Sequence, residues 1–424
     1  MPKLNPAELE IDLFCKGVRI GEGCTLEKDA RSFSRTRAGL GSGLEIILPS
    51  PHKDIWMNAP VFEPFVESTP YKLVKRDGEY LVEDTRNGAG VYPVRVPSRP
   101  SWYDEQTSTG VPMNQVGVLQ GTYLGIYFGE TCHFWRMSPS KACKFCTTGL
   151  NVGTNEALEK SVDDVVETAL KAKEESGITF VHFNSGYQEN RSLEIAAPYV
   201  KALKEKVGVL VGLQAIPSAE LWKYDWLIDL GVDHFSFCYE FHNPKYFEEH
   251  LPGKQEFVGQ QTFFSAMEYV AKKMGKGRNS GEIIAGIEPV EDTLKAIEYI
   301  TSVGCFPTVC IFRPLHGASL SGLPSPPYED MVRVFRAVYE SCMKAGIPTG
   351  LAPNIEVSLI VNPDDASPLS PPSLKNSLYE FRSNLTRIAA RPLVASKMRR
   401  RRIKADAYDS SGYCPSHGKK PATA

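Results

Sequence analysis

The stretch TYLGIYFGETCHFWRMSPSKACKFCTTG, residues 122–149, guides the interpretation of the whole chain. Its first part, Tyr123–Phe128, is a short apolar and aromatic run bounded by glycine, which predicts a buried strand. Cys132 follows directly, and Cys143 and Cys146 come after ten intervening residues. Thiolates are the usual ligands of iron–sulfur clusters. Three thiolates on a four-iron cluster leave one iron open to a small molecule, so the stretch predicts a [4Fe–4S] site.

Downstream of this stretch, from about residue 122 to 361, predicted strands and amphipathic helices alternate. The predicted strands are Tyr123–Phe128, Ile178–Phe183, Val209–Leu213, His234–Tyr239, Glu282–Ile287 and Thr308–Phe312. The predicted helices are Ser161–Glu175, Leu193–Lys206, Ser218–Leu230, Gln260–Lys273, Val290–Ser302 and Glu329–Ala345. Such alternation gives parallel sheets. The fold class is therefore α/β, and six units predict a partial (β/α)6 TIM-like barrel, with an open doubly wound sheet as the alternative.

Three regions are predicted along the chain. Residues 1–120 are rich in glycine and proline and predict a β-rich N-terminal region, with a hairpin turn at Asp77-Gly78. Residues 121–365 form the predicted barrel, in which Cys132 lies at the C-terminal end of the first strand, where such folds carry chemistry. Residues 366–424 predict a helical extension and a basic tail, whose last dozen residues are expected to be disordered.

Bulk composition excludes several classes of protein. The chain has 424 residues, 42% hydrophobic residues and a formal net charge of −2, which disfavours a protein built as a whole to bind nucleic acid or an anionic membrane. It has no predicted signal sequence and no apolar run long enough to span a membrane, so a cytoplasmic protein is expected. Ten cysteines in a long chain of this kind favour metal or redox chemistry over disulfides.

Zinc is the alternative reading of the cysteine group, with His133 or a distant cysteine as fourth ligand. Adjacent Cys132 and His133 are awkward ligands for one tetrahedral ion, and the chain has no second C-x-x-C pair. Inert buried thiols would not require a C-x-x-C pair in a loop. The cluster is therefore favoured over zinc and over structural thiols.

A strand ending in cysteine, a Cys-x-aromatic-Cys pair containing Phe145, and further β/α units together resemble the radical S-adenosylmethionine (SAM) superfamily, in particular its biotin-synthase-like branch. The first gap of ten residues departs from the CxxxCxxC spacing of most members. The N-terminal region is also similar to that of radical SAM proteins encoded in nitrilase gene clusters. The resemblance implies a [4Fe–4S] cluster, SAM as cofactor and a flavodoxin or ferredoxin as electron donor.

The resemblance also implies a set of residues that contact SAM. The loop after the second strand, with Ser185, Gly186, Tyr187 and Glu189, corresponds to the Gly-Gly-Glu-type motif at the SAM ammonium, although tyrosine stands where glutamate is usual. An ordinary strand–helix turn is the alternative there. Glu240 ends the fourth strand and is expected to contact the ribose or methionine end, a surface ion pair being its alternative.

The fifth and sixth strands complete the expected cofactor contacts. The sequence GEIIAGIE resembles the GxIxGxxE motif on the adenine side, with expected contacts from Gly281, Ile283, Ala285 and Glu288. A plain buried strand is the alternative. Arg313, at the end of the sixth strand, is expected to bind a carboxylate of SAM or substrate, or to form a structural salt bridge.

Several other residues fit structural roles better than functional ones. Cys238 and Cys310 suit core packing more than a second cluster or a sulfur source. The basic run Lys397–Arg402 suits a solvated face or tail more than RNA binding. Cys414 and His417 form a weak C-x-x-H pair in the tail. We therefore expect a radical SAM enzyme acting on a small molecule, with no membrane partner; a tRNA-modifying radical enzyme and a zinc-binding module are the alternatives.

Overall fold

The computed structural model describes residues 3–24, 26, 43–51, 53–86, 90–137 and 141–406, and the backbone of residues 413–414 and 418–419. Its strands are β1 (Arg19–Ile20), β2 (Gly43–Leu48), β3 (Ile55–Pro60), β4 (Tyr71–Arg76), β5 (Glu79–Asp84), β6 (Val91–Val94), β7 (Val118–Gln120), β8 (Tyr123–Tyr127), β9 (Phe180–Asn184), β10 (Leu210–Gln214), β11 (His234–Glu240), β12 (Asn279–Ala285), β13 (Phe306–Ile311), β14 (Tyr413–Cys414) and β15 (Gly418–Lys419).

The helices cover the sheet and join its strands. They are α1 (Pro6–Lys16), α2 (Met113–Val116), α3 (His133–Met137), α4 (Thr148–Asn151), α5 (Val162–Ser176), α6 (Ser192–Ala202), α7 (Trp222–Leu230), α8 (Pro244–His250), α9 (Pro252–Phe257), α10 (Gln260–Met274), α11 (Val290–Ser302), α12 (Tyr328–Ala345) and α13 (Leu374–Lys397). Short 3-10 turns lie at Pro64–Ser68, Ser101–Asp104 and Ser367–Leu369, and a π-helical turn at Leu203–Val207 follows α6. None of the described helices is long and apolar enough to cross a membrane.

The central sheet has seven strands in the order β13-β12-β11-β10-β9-β8-β7. Strands β8 to β13 are parallel neighbours in chain order, and β7 pairs antiparallel with β8 at one edge. Curled in this order, the sheet forms the predicted partial TIM-like barrel. Because the strands run the same way, their carboxyl ends share one rim.

The N-terminal region contributes two small sheets, one ordered β1-β4-β5-β6 and one formed by β2 and β3. The predicted turn at Asp77-Gly78 is confirmed, since Arg76 pairs with Glu79 across it. Both turn residues have positive φ, 49° and 86°, as a tight two-residue hairpin requires. The division into residues 1–120, 121–365 and 366–424 stays a prediction.

Helix α1 was not predicted within this β-rich region. Its start carries a complete capping box, in which the Asn5 side chain accepts from the Glu8 backbone and Glu8 accepts from that of Asn5. Pro6 occupies the first turn, where its missing N–H costs nothing. The helix is buried on almost all sides, so it lacks the one-sided apolar pattern that identifies a surface helix.

Strand β12 begins three residues before the predicted Glu282 and ends two residues before the predicted end. Its first residues, Asn279 and Ser280, are polar yet buried. The amide of Asn279 donates to the carbonyl of Met267 (3.0 Å), and Ser280 donates to Ser236 on β11 (3.0 Å). These hydrogen bonds offset the cost of burying two polar residues. Because the strand begins with polar residues, its hydrophobic pattern predicted the wrong bounds.

Candidate active site at the barrel rim

A cavity opens at the carboxyl ends of the barrel strands and extends down between them. It encloses about 1320 Å³ of space between atoms, its open mouth included. Its polar and sulfur-bearing lining residues come from β8 to β13 and their loops: Tyr127, Cys132, Cys143, Cys146, Thr148, Asn184, Ser185, Gly186, Tyr187, Gln214, Cys238, Glu240, Lys254, Glu282, Cys310 and Arg313.

The structure brings Cys132, Cys143 and Cys146 to this one cavity, and all three are free thiols. Cys132 precedes α3 in the loop after β8, whereas the C-x-x-C pair lies in a turn closed by the bond from the Cys146 N–H to the Cys143 carbonyl (3.0 Å). Among the described residues, no group of three or more His, Cys, Asp or Glu is arranged to hold a single metal ion. The predicted contact Phe145 also lines the cavity.

Two of the sulfurs receive backbone hydrogen bonds. The N–H of Tyr187 points to Sγ of Cys132 (3.3 Å), and the N–H of Thr148 points to Sγ of Cys146 (3.4 Å). Hydrogen bonds of this kind orient sulfur ligands and tune a cluster's reduction potential. A donor set of three thiols facing one cavity, two of them oriented by amides, fits a cluster with one ligand per iron and one iron left open.

Gly186 makes room for the first of these cysteines. A Cβ built on Gly186 would lie 2.4 Å from Cβ of Cys132 and 2.8 Å from its sulfur, closer than atoms approach in proteins. Position 186 therefore requires glycine if Cys132 is to stay where it is. This close approach gives a physical reason for the glycine of the SGY sequence.

Burial raises the pKa of the Cys132 and Cys143 thiols, so both are protonated before any metal binds. Metal binding requires thiolates, and uptake of a cluster must therefore release protons.

The loop after β9 lies against the cysteine rim. Ser185, Gly186 and Tyr187 line the cavity, and the Tyr187 ring stacks on Phe134 with centroids 4.5 Å apart. Glu189 does not line it: its side chain is 69% exposed and lies 3.3 Å from Nδ1 of His133. Asn184, at the end of β9, also lines the cavity, although the sequence analysis did not predict it as a site residue. Its Oδ1 is buried and has no hydrogen-bond partner in the protein.

Glu240 is placed in the cavity wall, where it forms a buried ion pair. Nζ of Lys254 donates to both Glu240 carboxylate oxygens (2.6 Å each) and to the carbonyl of Cys238 (2.7 Å). Glu240 has φ of 57°, rare for a residue with a side chain, at a register shift in β11. Burial lowers the pKa of Lys254, but the Glu240 carboxylate more than offsets this and raises it, so the ammonium persists.

The register of β12 separates the predicted adenine-side residues from the cavity. Glu282 and Ile284 face the cavity. The residues that alternate with them, Gly281, Ile283 and Ala285, are buried and do not line it. A Cβ on Gly281 would meet Ile300 of α11 and Met267 of α10, at 2.7 and 2.9 Å. Alternation along a strand allows only one of these two sets to face the cavity.

Glu288 also does not line the cavity. Its carboxylate accepts the backbone N–H groups of His242 (3.0 Å) and Asn243 (2.9 Å), just before α8. Burial raises the pKa of Glu288 to about 7, although these hydrogen bonds oppose the shift. The carboxylate thus fastens the loop after β11 to the end of β12.

Arg313 lines the cavity but is held by the N-terminal region. Its guanidinium donates to the carbonyl of Asn58 (2.7 Å) and to Oδ1 of the same residue (3.2 Å), and lies 3.6 Å from Glu63. The structure therefore gives Arg313 a salt bridge and hydrogen bonds that tie β3 to the rim. This corresponds to the structural alternative considered for Arg313.

Glu282, Cys238 and Cys310 form a polar patch inside the barrel that the sequence did not single out as a unit. Sγ of Cys310 lies 3.8 Å from Oε1 of Glu282, and Cys238 pairs with Glu282 in the register of β11 and β12. Burial raises the pKa of Glu282, opposed by the Cys238 thiol. Polar residues alternate along these neighbouring strands in the sequence. Which of them are neighbours in space can be predicted only when the strand register is known.

No family model matches this chain. Over 268 residues the chain is 23% identical to the bacteriochlorophyllide c C-7(1)-hydroxylase of Chlorobaculum limnaeum, a match that takes in 58% of this chain and 66% of the hydroxylase. The chain thus spans just under two thirds of the length of that relative.

Solved structures with some similarity include methylornithine synthase, PylB, with a TM-score of 0.41 and 18% identity over 52% of this chain and 62% of PylB. The hydrogenase maturase HydG of Carboxydothermus hydrogenoformans has a TM-score of 0.41 and 15% identity, over 52% of each chain. SuiB of Streptococcus suis, bound to S-adenosylmethionine, has a TM-score of 0.37 and 12% identity, over 49% of this chain and 46% of SuiB.

Proposed function

We propose that the chain is a radical SAM enzyme that acts on a small-molecule substrate in the cytoplasm. The observation that carries the proposal is the convergence of Cys132, Cys143 and Cys146, as free thiols, on one cavity at the carboxyl rim of a partial barrel. Chemistry in barrels of this kind is located at that rim. The sequence similarity to the hydroxylase and the resemblance of the cysteine segment to radical SAM proteins support the same reading.

The three cysteines would hold a [4Fe–4S] cluster and leave one iron for the amino acid end of SAM. When bound, these groups supply the 5′-deoxyadenosyl radical that takes a hydrogen atom from the substrate. The chain's own contribution is to orient the cofactor and to exclude water from the cavity. The backbone amides of Tyr187 and Thr148 fix the sulfurs that they contact.

Around the cluster, the wall supplies acceptors for the ammonium and ribose of SAM. Asn184 Oδ1 is buried and has no protein partner, so it is available to a donor group in the cavity. Ser185 and Gly186 lie beside it in the loop that contacts Cys132. The buried pair Glu240–Lys254 adds a fixed dipole next to this region. Gly281, Ile283, Ala285, Glu288 and Glu189 are not assigned to SAM.

Deeper in the barrel, the patch of Glu282, Cys238 and Cys310 is proposed to face the substrate. Glu282 lies three residues before the end of β12, about 10 Å below the rim along the strand. The ammonium of Lys254 is already occupied by Glu240 and a carbonyl. A substrate that presents an amine or another hydrogen-bond donor would satisfy the Glu282 carboxyl. The two thiols beside Glu282 are assigned to this patch, and no second cluster is proposed.

Anaerobic reconstitution tests the proposal. The purified chain, supplied with iron, sulfide and reductant under exclusion of oxygen, is expected to turn brown and bind about four irons. With SAM and dithionite it should form 5′-deoxyadenosine, which a flavodoxin or ferredoxin should also support. Cys143→Ala should abolish both, whereas Cys342→Ala, in a buried thiol of α12 away from the cavity, should retain both. A colourless protein with about one zinc would contradict the proposal.

A further inference from the structure

Helix α13 is attached to the rest of the protein along one face only. Ser383 is its buried residue, and the Tyr379 hydroxyl donates to the carbonyl of Ile347 (2.6 Å). Nε of Arg387 donates to the carbonyl of Thr349 (3.0 Å). Near its end, Val394 packs on a small cluster at the starts of β8, β9 and β10. These contacts fix which side of the helix faces away from the protein.

The opposite side is apolar and exposed. The exposed large side chains of α13 and their exposed fractions are Leu374 86%, Leu378 55%, Phe381 60%, Leu385 50%, Ile388 56% and Leu393 57%. The first five are spaced by four, three, four and three residues, which places them in one line along the helix. An apolar line of this kind, about 20 Å long, indicates an interaction surface. We call these first five residues the docking stripe.

Basic residues surround the docking stripe. From Leu374 to Lys404 the sequence has ten Lys and Arg residues and one acid, Glu380. That acid is engaged by Tyr339 (3.1 Å) and Ser367 (2.6 Å) on the body of the protein. The side chains that remain exposed on and beyond the helix include Lys375, Arg382, Arg391, Arg399, Arg400, Arg402 and Lys404. The surface that receives the stripe must therefore be anionic.

We propose that the docking stripe and the basic residues around it bind the surface of an anionic phospholipid membrane. Helices that lie in the plane of such a surface bury Leu, Ile and Phe in the acyl boundary and hold Lys and Arg at the headgroups. A second copy of α13 packed against the stripe would bring the basic residues of the two helices together, and their charges would repel. The phosphates of RNA would bind the arginines, but RNA would leave the line of apolar side chains uncovered. A fluid bilayer also accepts a convex ridge, whereas a protein partner would need a matching groove.

The position of the helix leaves the cavity accessible. Val394 and Met398 pack near Tyr123, Phe180 and Leu210, at the amino ends of barrel strands. The cysteines lie at the carboxyl ends of the same sheet. A membrane bound through α13 would therefore leave the mouth of the cavity facing away from the lipid. This proposal goes beyond the proposed function and holds whether or not a cluster binds.

Vesicle flotation of the full-length protein tests the proposal. Vesicles of phosphatidylcholine with phosphatidylglycerol should bind the protein at least about tenfold better than phosphatidylcholine alone, and salt should weaken the binding. The double variant F381E/L385E should lose this binding without a change in melting temperature, because both side chains are already exposed. The matched control L158E/L323E changes two exposed leucines elsewhere, 49% and 42% exposed, and should bind like the wild type.

Three outcomes would overturn the proposal. The first is equal binding of F381E/L385E and the wild type, or no preference for the anionic lipid. The second is a wild-type dimer in light scattering that F381E/L385E separates into monomers, because the stripe would then cover a second copy. The third is binding of polyuridylate that replacement of Arg399, Arg400 and Arg402 by glutamine abolishes and F381E/L385E leaves intact, with no vesicle binding.

Discussion

Gly186 and Cys132 are in such close contact that position 186 has no room for a side chain: a Cβ there would lie 2.4 Å from Cβ of Cys132. The two residues come from loops after neighbouring strands, β9 and β8, and so the fit exists only in the folded barrel. The contact also links the cysteine to the Tyr187 amide that points to its sulfur. Cluster binding is therefore expected to depend on a residue that is not a ligand.

Gly186→Ala is expected to weaken iron uptake by about 10–100-fold, because the added methyl group must displace Cys132 from its amide. Iron and sulfide counting after reconstitution at limiting iron measures this. Gly322→Ala is the matched control, since a Cβ at Gly322 meets nothing within 4 Å and its φ is not in the left-handed region. Equal iron content in the two variants would show that the contact is unimportant.

Lys254→Met is expected to lower the free energy of unfolding by about 3–5 kcal/mol, because it leaves the buried Glu240 carboxylate without a cation. Urea denaturation measures the loss, and a second change, Glu240→Gln, should recover part of it. Lys273→Met removes an exposed ion pair with Asp225 (3.1 Å) and should leave the urea midpoint nearly unchanged. A similar small cost for Lys254→Met would mean that Glu240 is solvated or protonated.

Glu45 is expected to make the fold less stable as the pH rises. Burial raises its pKa to about 7 from the ordinary 4.5, although Ser358 and Asn58 donate to it. The folded protein therefore binds a proton more tightly than the unfolded chain, so stability is lost as the pH rises from 4.5 through 7. The loss is on the order of 3 kcal/mol. Glu45→Gln should remove this part of the dependence between pH 5 and 8, and identical slopes in both proteins would refute the assignment.

Asn184→Leu is expected to leave the melting temperature unchanged or raise it, because it removes a buried acceptor that has no protein partner. The same variant should weaken SAM binding and slow formation of 5′-deoxyadenosine. Asn58→Leu is the contrasting control: its amide donates to Glu45 and its carbonyl oxygen accepts from Arg313, so its loss should cost about 1–3 kcal/mol. An Asn184 variant that is unstable, yet binds SAM normally, would assign the residue to folding alone.

The amino-acid sequence by itself determined the alternation of strands and helices and the place of the cysteines after the first barrel strand. The sequence also predicted the hairpin at Asp77-Gly78 and a helix that begins at Ser161, where the structure shows the Ser161 side chain accepting from the Asp164 backbone. These features depend on local periodicity, turn geometry and end caps, which involve residues close together in the chain.

The predicted C-x-x-H pair of the tail, Cys414 and His417, lies outside the residues whose side chains the structure describes.

Tertiary structure alone decided which residues of each strand face the cavity. A shift of one residue moves every side chain to the other face of a sheet, and so Glu282 lines the cavity while Gly281 and Ile283 do not. Contacts between distant segments decided that Arg313 binds Asn58 and that Lys254 pairs with Glu240. They also decided that α13 turns its leucines outward. Sequence patterns report how residues alternate, but the burial of one face depends on which elements pack against it.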